Sequence, residues 1–260
     1  MAEKQSGGQF VWYDLMTSDP AGAQDFYSKL IGWGTQSWEG GDQPYTLWTN
    51  GEKPLGGVLD MPEEVRESGA PPHWLSYVGV DDIKASASRV AELGGSVLHG
   101  PVDIPNSGSF AVLADPQGAV FAIYQSAEDK PAEASSPEIG GFSWHELATS
   151  DYKSAFSFYS DLFGWKPGEA MDMGEAGIYQ LYGAGGDPLG GMFNKPNEMP
   201  GPPMWLYYVK VGDVNEVVKK VAELGGQVIN GPMEVPGGDL IVQCLDPQGA
   251  LFAIHSSASG

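Results

Sequence analysis

One cysteine, Cys244, and four histidines, His73, His99, His145 and His255, stand in a chain of 260 residues. A lone thiol cannot close an intrachain disulfide, so the fold must hold without one, as befits a reducing compartment. Basic residues are also scarce: 13 Lys and Arg against 34 Asp and Glu leave a net charge of −21 at pH 7. Such a surface repels polyanions, which argues against nucleic acid and anionic membrane as partners. No run approaches the roughly 20 apolar residues of a membrane span. The opening MAEKQSGGQF has no apolar segment of the signal-peptide kind. G-x-S-x-G, the P-loop and G-x-G-x-x-G are missing too, since GAGGDPLGG puts Pro where the third glycine belongs. These absences lead to the expectation of a cytoplasmic, soluble protein, monomer or homodimer, that binds neither nucleic acid nor membrane.

What is present is a repeat. TSDPAGAQDFYSKLIGW (17–33) returns as TSDYKSAFSFYSDLFGW (149–165), PLGG (54–57) returns at 188–191, and VAELGG (90–95) at 221–226. DPQGAVFAI (115–123) returns as DPQGALFAI (246–254). Self-similarity over this length is the mark of a tandem duplication. Between the copies, SAEDKPAEASSPEIGG has no apolar period and reads as a linker. The expected domains are therefore 9–126 and 141–257, joined by 127–140.

Each copy divides again. Asp19 can cap a helix with Pro20 at its first position, and Ala23, Phe26, Tyr27 and Leu30 follow at i, i+3, i+4 and i+7. A second helix is expected after Asp81 or Asp82, ending at Gly94-Gly95; in the other copy Val214, Val217, Val218 and Val221 form its apolar face. Every helix follows a strand-like run (FVWYDLM, HWLSYVGV, FSWHELA, MWLYYVKV) and precedes short strands broken by Gly and Pro. DPQG suits a type I turn between antiparallel strands. Each domain is thus two βαβββ units, about 9–61 and 72–126, then 141–194 and 203–257, an α+β fold.

Four βαβββ units, FY…GW after the first helix, DPxG before the last strand and W-x-D/E-L in the first (Trp12 to Leu15, Trp144 to Leu147) resemble the vicinal oxygen chelate superfamily. That superfamily holds glyoxalase I, bleomycin-resistance proteins and extradiol dioxygenases, and the resemblance runs from about Gln9 to His255. It implies paired units curled into cup-shaped half-barrels with a ligand or metal inside. Which units pair is left open by the sequence.

The resemblance also places the metal ligands of metal-dependent members on Trp12, Leu75 and Ala122, and on Trp144, Leu206 and Ala253, with a fourth position near Gly57 and Gly191. None of these side chains donates to a divalent ion, so no cofactor is expected, with a divalent metal as the alternative. The histidines do not replace them. His145 stands where the first copy has Tyr13, on the face of Val11 and Leu15, and reads as a core residue. HELAT lacks the second histidine of a zincin. His99 aligns with Asn230 in a Gly-Pro loop and reads as solvated. His73 and His255 share strand faces with Leu75 and Ala253, but their counterparts are Met204 and Tyr124. Cys244 aligns with Leu113 and reads as core.

Without donors the cup face is aromatic with one acid. The candidate binding residues are Trp12, His73, Leu75, Tyr77 and Tyr124 in the first copy, and Trp144, Met204, Leu206, Tyr208 and His255 in the second. Asp14 and Glu146 are the candidate catalytic residues. Aromatic walls with an acid suit a small cationic or aromatic molecule. Three readings stay open: a metal-free binding protein; a glyoxalase I-like lyase or isomerase with Asp14 or Glu146 as general base; and a scaffold whose cups are filled.

Overall fold

The structure, a computed structural model, describes residues 7–40, 44–128, 138–199 and 201–257. Most of the expected linker, 129–137, lies outside the described residues. The first repeat runs β1 (Phe10–Thr17), α1 (Pro20–Leu30), β2 (Gly34–Trp38), β3 (Tyr45–Asn50), β4 (Lys53–Asp60) and a short α2 (Glu63–Glu67). It continues with β5 (His73–Gly79), α3 (Ile83–Glu92), β6 (Ser96–Ile104), β7 (Gly108–Ala114) and β8 (Val120–Ser126). The second repeat runs β9 (Phe142–Thr149), α4 (Tyr152–Phe163), β10 (Lys166–Asp172), β11 (Ile178–Gly183) and β12 (Gly190–Asn194). Then come β13 (Met204–Lys210), α5 (Val214–Glu223), β14 (Gln227–Glu234), β15 (Leu240–Leu245) and β16 (Leu251–Ser256). The four helices that follow β1, β5, β9 and β13 each start on an aspartate. Asp19 accepts from the Gly22 amide at 3.0 Å, Asp82 from Ala85 at 2.9 Å, Asp151 from Lys153 at 3.0 Å and Asp213 from Asn215 at 2.8 Å.

Each repeat forms one eight-stranded mixed sheet, in the orders β2-β3-β4-β1-β5-β8-β7-β6 and β10-β11-β12-β9-β13-β16-β15-β14. The sheets are open rather than closed barrels, which is the α+β half-barrel arrangement expected of βαβββ units. Their order answers the pairing question at the level of strands: unit one joins unit two, and unit three joins unit four, through the first strand of each. The glycines of PLGG make the parallel joins of β1 with β4 and β9 with β12 possible. A Cβ on Gly56 would lie 1.9 Å from the Tyr13 carbonyl oxygen, and one on Gly190 would lie 1.8 Å from that of His145. Only glycine allows so close an approach.

The cores are built otherwise. The chain divides into two compact units, each drawing on both repeats. One takes the described residues up to Val11, those from Ser76 to the end of β8, and Trp144–Trp205; the other takes Trp12–Leu75, the approach to β9 and the residues from Leu206 on. In the second of these, Tyr27 of α1 packs among Trp33, Trp48, Trp74 and Phe252, with ring centroids 5.3 to 5.7 Å away. In the first, Tyr159 of α4 packs on Trp165, Trp205 and Phe121 at 5.3 to 5.5 Å. Phe121 and Phe252, which follow the two DPQG turns, face helices. The helices they meet belong to the opposite repeat.

The turns take part in the same exchange. Gly118 N donates to Asp115 O at 3.0 Å and Gly249 N to Asp246 O at 2.9 Å, closing the DPQG turns. Each aspartate side chain then receives two amides of its own turn and a tyrosine hydroxyl from the other repeat: Tyr159 to Asp115 at 3.1 Å, Tyr27 to Asp246 at 3.2 Å. Both tyrosines are acceptors in turn, from the indoles of Trp205 at 3.1 Å and Trp74 at 3.0 Å. The Y of each FY motif thus meets the D of the opposite DPQG.

Two local expectations need correction, and one short helix carried no sequence signal. His99 lies in strand β6, not in a loop, exposed beside the Phe110 ring. The helix α2 carries no buried residue, so it left no apolar period to read. Val11 is half-buried rather than packed with Tyr13, because the strict alternation of β1 breaks. The pair Val11-Trp12 is half-exposed together, as is Ser143-Trp144 in β9, while Phe10, Tyr13 and His145 are buried.

Candidate functional site

The two acids singled out in the sequence each sit in a trio with a tryptophan and a tyrosine. In the first repeat Tyr45 Oη donates to Asp14 Oδ1 at 2.6 Å. The Trp12 indole N–H lies 3.0 Å from the same oxygen and 2.8 Å from Tyr45 Oη. In the second repeat Trp144 Nε1 donates to Tyr179 Oη at 2.8 Å, and Tyr179 Oη to Glu146 Oε2 at 2.9 Å. Burial first, then the Asp14 charge and the hydrogen bond to it, push the Tyr45 phenol well above its ordinary value. The phenol therefore stays protonated and acts as donor. Each trio lies wholly within one compact unit.

Gly57 and Gly191, noted in the sequence as empty positions, make these trios possible. A Cβ on Gly57 would stand 2.1 Å from the Tyr45 ring, and one on Gly191 would stand 2.0 Å from that of Tyr179. The rings occupy the space that a side chain at either glycine would fill. Tyr45 and Tyr179 were missed by the sequence reading, although both stand 12 residues before those glycines in their own repeats. The fixed offset was the available signal.

The other candidates divide between the two units. With Trp12 and Asp14 belong His73, whose Nδ1 is 2.8 Å from the Pro71 carbonyl, and Leu75, which is buried. Tyr77 and Tyr124 belong to the other unit: Tyr77 is buried beside Phe110, and Tyr124 donates to the Ser107 carbonyl at 2.6 Å. In the second repeat Met204 goes with Trp144 and Glu146, whereas Leu206, Tyr208 and His255 belong to the opposite unit. Leu206 and Tyr208 are buried, and Tyr208 Oη accepts from Gln243 at 3.2 Å. His255 is held between Ser143 and Asp239. Neither of those two was singled out in the sequence.

His145 is a core residue. It is buried, stacked on Phe10 with centroids 3.7 Å apart, and its Nδ1 meets the Leu189 carbonyl at 2.8 Å. Burial lowers its pKa to about 3, so the ring is neutral. Cys244 is buried as well, and burial alone pushes its thiol up to about 12, which removes the thiolate a nucleophile needs.

The metal ligands that the fold family implies do not fit these residues. Trp12, Leu75, Ala122, Trp144, Leu206 and Ala253 offer no donor, and the alanines are completely buried. Among the described residues, no three His, Cys, Asp or Glu side chains gather to hold an ion. Nor, among those residues, is any helix long and apolar enough to cross a membrane.

Comparison with known proteins agrees with this architecture. The profile of the Glyoxalase/Bleomycin resistance protein/Dioxygenase superfamily matches residues 9–123 and 141–254. "Putative glyoxylase CFP32" of Mycobacterium bovis is 33% identical over 250 residues, covering 95% of this chain and 94% of that protein. Anthracycline biosynthesis protein DnrV of Streptomyces peucetius is 32% identical over 265 residues, covering 97% and 94%. Among solved structures, homoprotocatechuate 2,3-dioxygenase from Brevibacterium fuscum superposes with a TM-score of 0.68 at 13% identity, covering 97% of this chain and 81% of the other. The Mn(II)-bound glyoxalase from Novosphingobium aromaticivorans gives 0.65 at 14%, covering 96% and 82%; at such identities the likeness speaks for the fold alone. With matched segments over most of its length and full-length relatives above 30% identity, the chain belongs to the glyoxalase/bleomycin resistance protein/dioxygenase superfamily.

Proposed function

We propose that the protein binds a small planar or cationic organic molecule at its two Trp–Tyr–acid trios, without the metal of its metal-dependent relatives. One observation carries this reading: the same trio is built twice, on corresponding strands, with a glycine cleared beneath each tyrosine ring. Trp12 and Trp144 are half-buried, so each trio keeps an aromatic face within reach of solvent. An aromatic face beside a carboxylate attracts cations and flat rings. The name of the anthracycline-biosynthesis relative directs the choice of probe toward a planar polycycle bearing an amine.

The general-base reading of Asp14 and Glu146 finds less support. Their oxygens already accept from a tyrosine hydroxyl, and for Asp14 from an indole N–H as well. These hydrogen bonds occupy the oxygen that a base would use in each carboxylate. They do suit an anchor whose position is fixed before a ligand arrives.

The test is a fluorescence titration of the full chain with an anthracycline. Saturable quenching of tryptophan is expected, with no product after prolonged incubation. Gly57→Ala and Gly191→Ala, which displace the tyrosine rings, should each weaken their own site about tenfold, the loss of one good contact. Turnover of the bound compound that Asp14→Asn or Glu146→Gln abolishes would replace binding by lyase chemistry. Quenching unchanged in both glycine variants would place the ligand elsewhere.

A further inference from the structure

Ser143, His255 and Asp239 come from three separate segments: the start of β9, the end of β16, and the residue before β15. They meet within one compact unit. Ser143 Oγ is 2.5 Å from His255 Nε2, and His255 Nδ1 is 3.4 Å from Asp239 Oδ2. The carboxylate is an acceptor, so it selects the tautomer with the proton on Nδ1. Nε2 is then the acceptor at the shorter of the two contacts Ser143 Oγ makes, the other being the Tyr208 carbonyl at 3.4 Å. That is the order of groups that turns a hydroxyl into a nucleophile: hydroxyl, imidazole, orienting acid.

The surroundings suit this role. The His255 side chain is 13% exposed and that of Asp239 37%, so the imidazole is sheltered while the acid reaches water. Burial holds the ring toward its neutral form, outweighing Asp239, and the Lys210 charge acts in the same direction as burial. A neutral ring is what a base requires. Lys210 is the register partner of His255 across β13 and β16, which sets a positive charge beside the imidazole. A developing oxyanion would be stabilised by such a charge.

Nothing in the fold demands these residues. The corresponding positions of the first repeat are Val11, Tyr124 and Gly108, and that repeat makes the same strands. Tyr124 there simply donates to the Ser107 carbonyl. All three polar groups were acquired, or retained, in the second copy alone.

We propose that Ser143, His255 and Asp239 form an acyl-transfer site for small carboxylic esters, independent of the two trios. Ser143 Oγ bonds to the ester carbonyl carbon as its proton passes to His255 Nε2. The bond from that carbon to the alcohol oxygen breaks, and the imidazolium returns the proton to the departing alkoxide. Water then adds to the acyl-serine, giving its proton to His255. The acid leaves and the serine is reprotonated, so ester and water become acid and alcohol. Asp239 holds the imidazole and its Nδ1 proton throughout.

The experiment treats the full chain with a biotinylated fluorophosphonate and with p-nitrophenyl acetate. One adduct per chain is expected, mapped by peptide mass spectrometry to Ser143, with a matching burst of p-nitrophenol. Ser143→Val and His255→Tyr install first-repeat residues and should fold with unchanged urea midpoints. Both should abolish the adduct and lower ester hydrolysis by at least about a hundredfold, as loss of a nucleophile or its base does. Asp239→Asn should keep labelling but slow it about tenfold or more. No adduct at Ser143, or equal labelling in folded His255→Tyr, would overturn the assignment. Ester hydrolysis that persists in folded Ser143→Val would do so too.

Discussion

Acid sensitivity should trace in large part to one residue, His145. It is buried against Phe10 and bound to Leu189, and its pKa falls from 6.5 to about 3 because burial disfavours the charged ring. Between those values the unfolded chain carries a proton the folded one refuses. Stability attributable to this ring is therefore complete above pH 6.5 and lost as the pH falls toward 3. At 1.36 kcal/mol per pH unit the whole interval amounts to about 5 kcal/mol, and the step from pH 6.5 to 4.5 to about 3 kcal/mol. His145→Phe keeps a ring on Phe10, and the Leu189 carbonyl keeps the backbone amide of residue 145 at 3.1 Å. That variant should lose about 1 kcal/mol at pH 7 and then hold its stability better than the wild type as the pH falls. Asp115 and Asp246, whose pKa values burial raises, act in the opposite sense: their contribution is complete below 3.8 and lost as the pH rises through their folded values. They are common to both proteins and cancel in the difference. Urea unfolding followed by tryptophan fluorescence at pH 7.5, 6.5, 5.5 and 4.5 measures it. A wild-type-minus-variant difference that does not change with pH would refute the reasoning.

Two further outcomes are expected. Tyr27→Phe and Tyr159→Phe each remove a buried donor from an aspartate and an acceptor from a tryptophan. Each should cost about 1–3 kcal/mol in urea unfolding, and a loss below about 0.5 kcal/mol in both would show the exchange between helix and turn to be energetically idle. Cys244, buried and raised to about 12, should stay silent to a thiol-directed disulfide reagent at pH 8 and react at the rate of unfolding. Rapid reaction of the native protein would contradict its place in the core.

The sequence carried the fold because nearly every element was written twice, α2 being the exception. Asp19 with Pro20, the Ala23, Phe26, Tyr27, Leu30 stripe and the two DPQG turns all appear where spacing places them. Half of each site was legible too, since Trp12 with Asp14 and Trp144 with Glu146 share a strand. Tyr45 and Tyr179 lie on β3 and β11, two strands away from the acids, so only their fixed offset from Gly57 and Gly191 marked them. Ser143 was hidden by a physical detail: strict alternation puts it opposite Trp144, while β9 leaves both half-exposed. Asp239 sits in a glycine-rich turn, where an acid reads as ordinary turn chemistry.

The tyrosine-to-aspartate exchange bears on how such a chain came to be doubled. Either repeat carries both halves of the clasp, Tyr27 with Asp115 or Tyr159 with Asp246, yet in the folded chain each tyrosine closes on the other repeat's acid. A lone repeat would therefore be self-complementary, with two copies able to fasten twice around a twofold axis. Duplication and fusion of such an ancestor would convert an assembly governed by concentration into one governed by a tether. Once joined, the copies would be free to diverge, and the serine, histidine and aspartate found in one of them alone record that freedom.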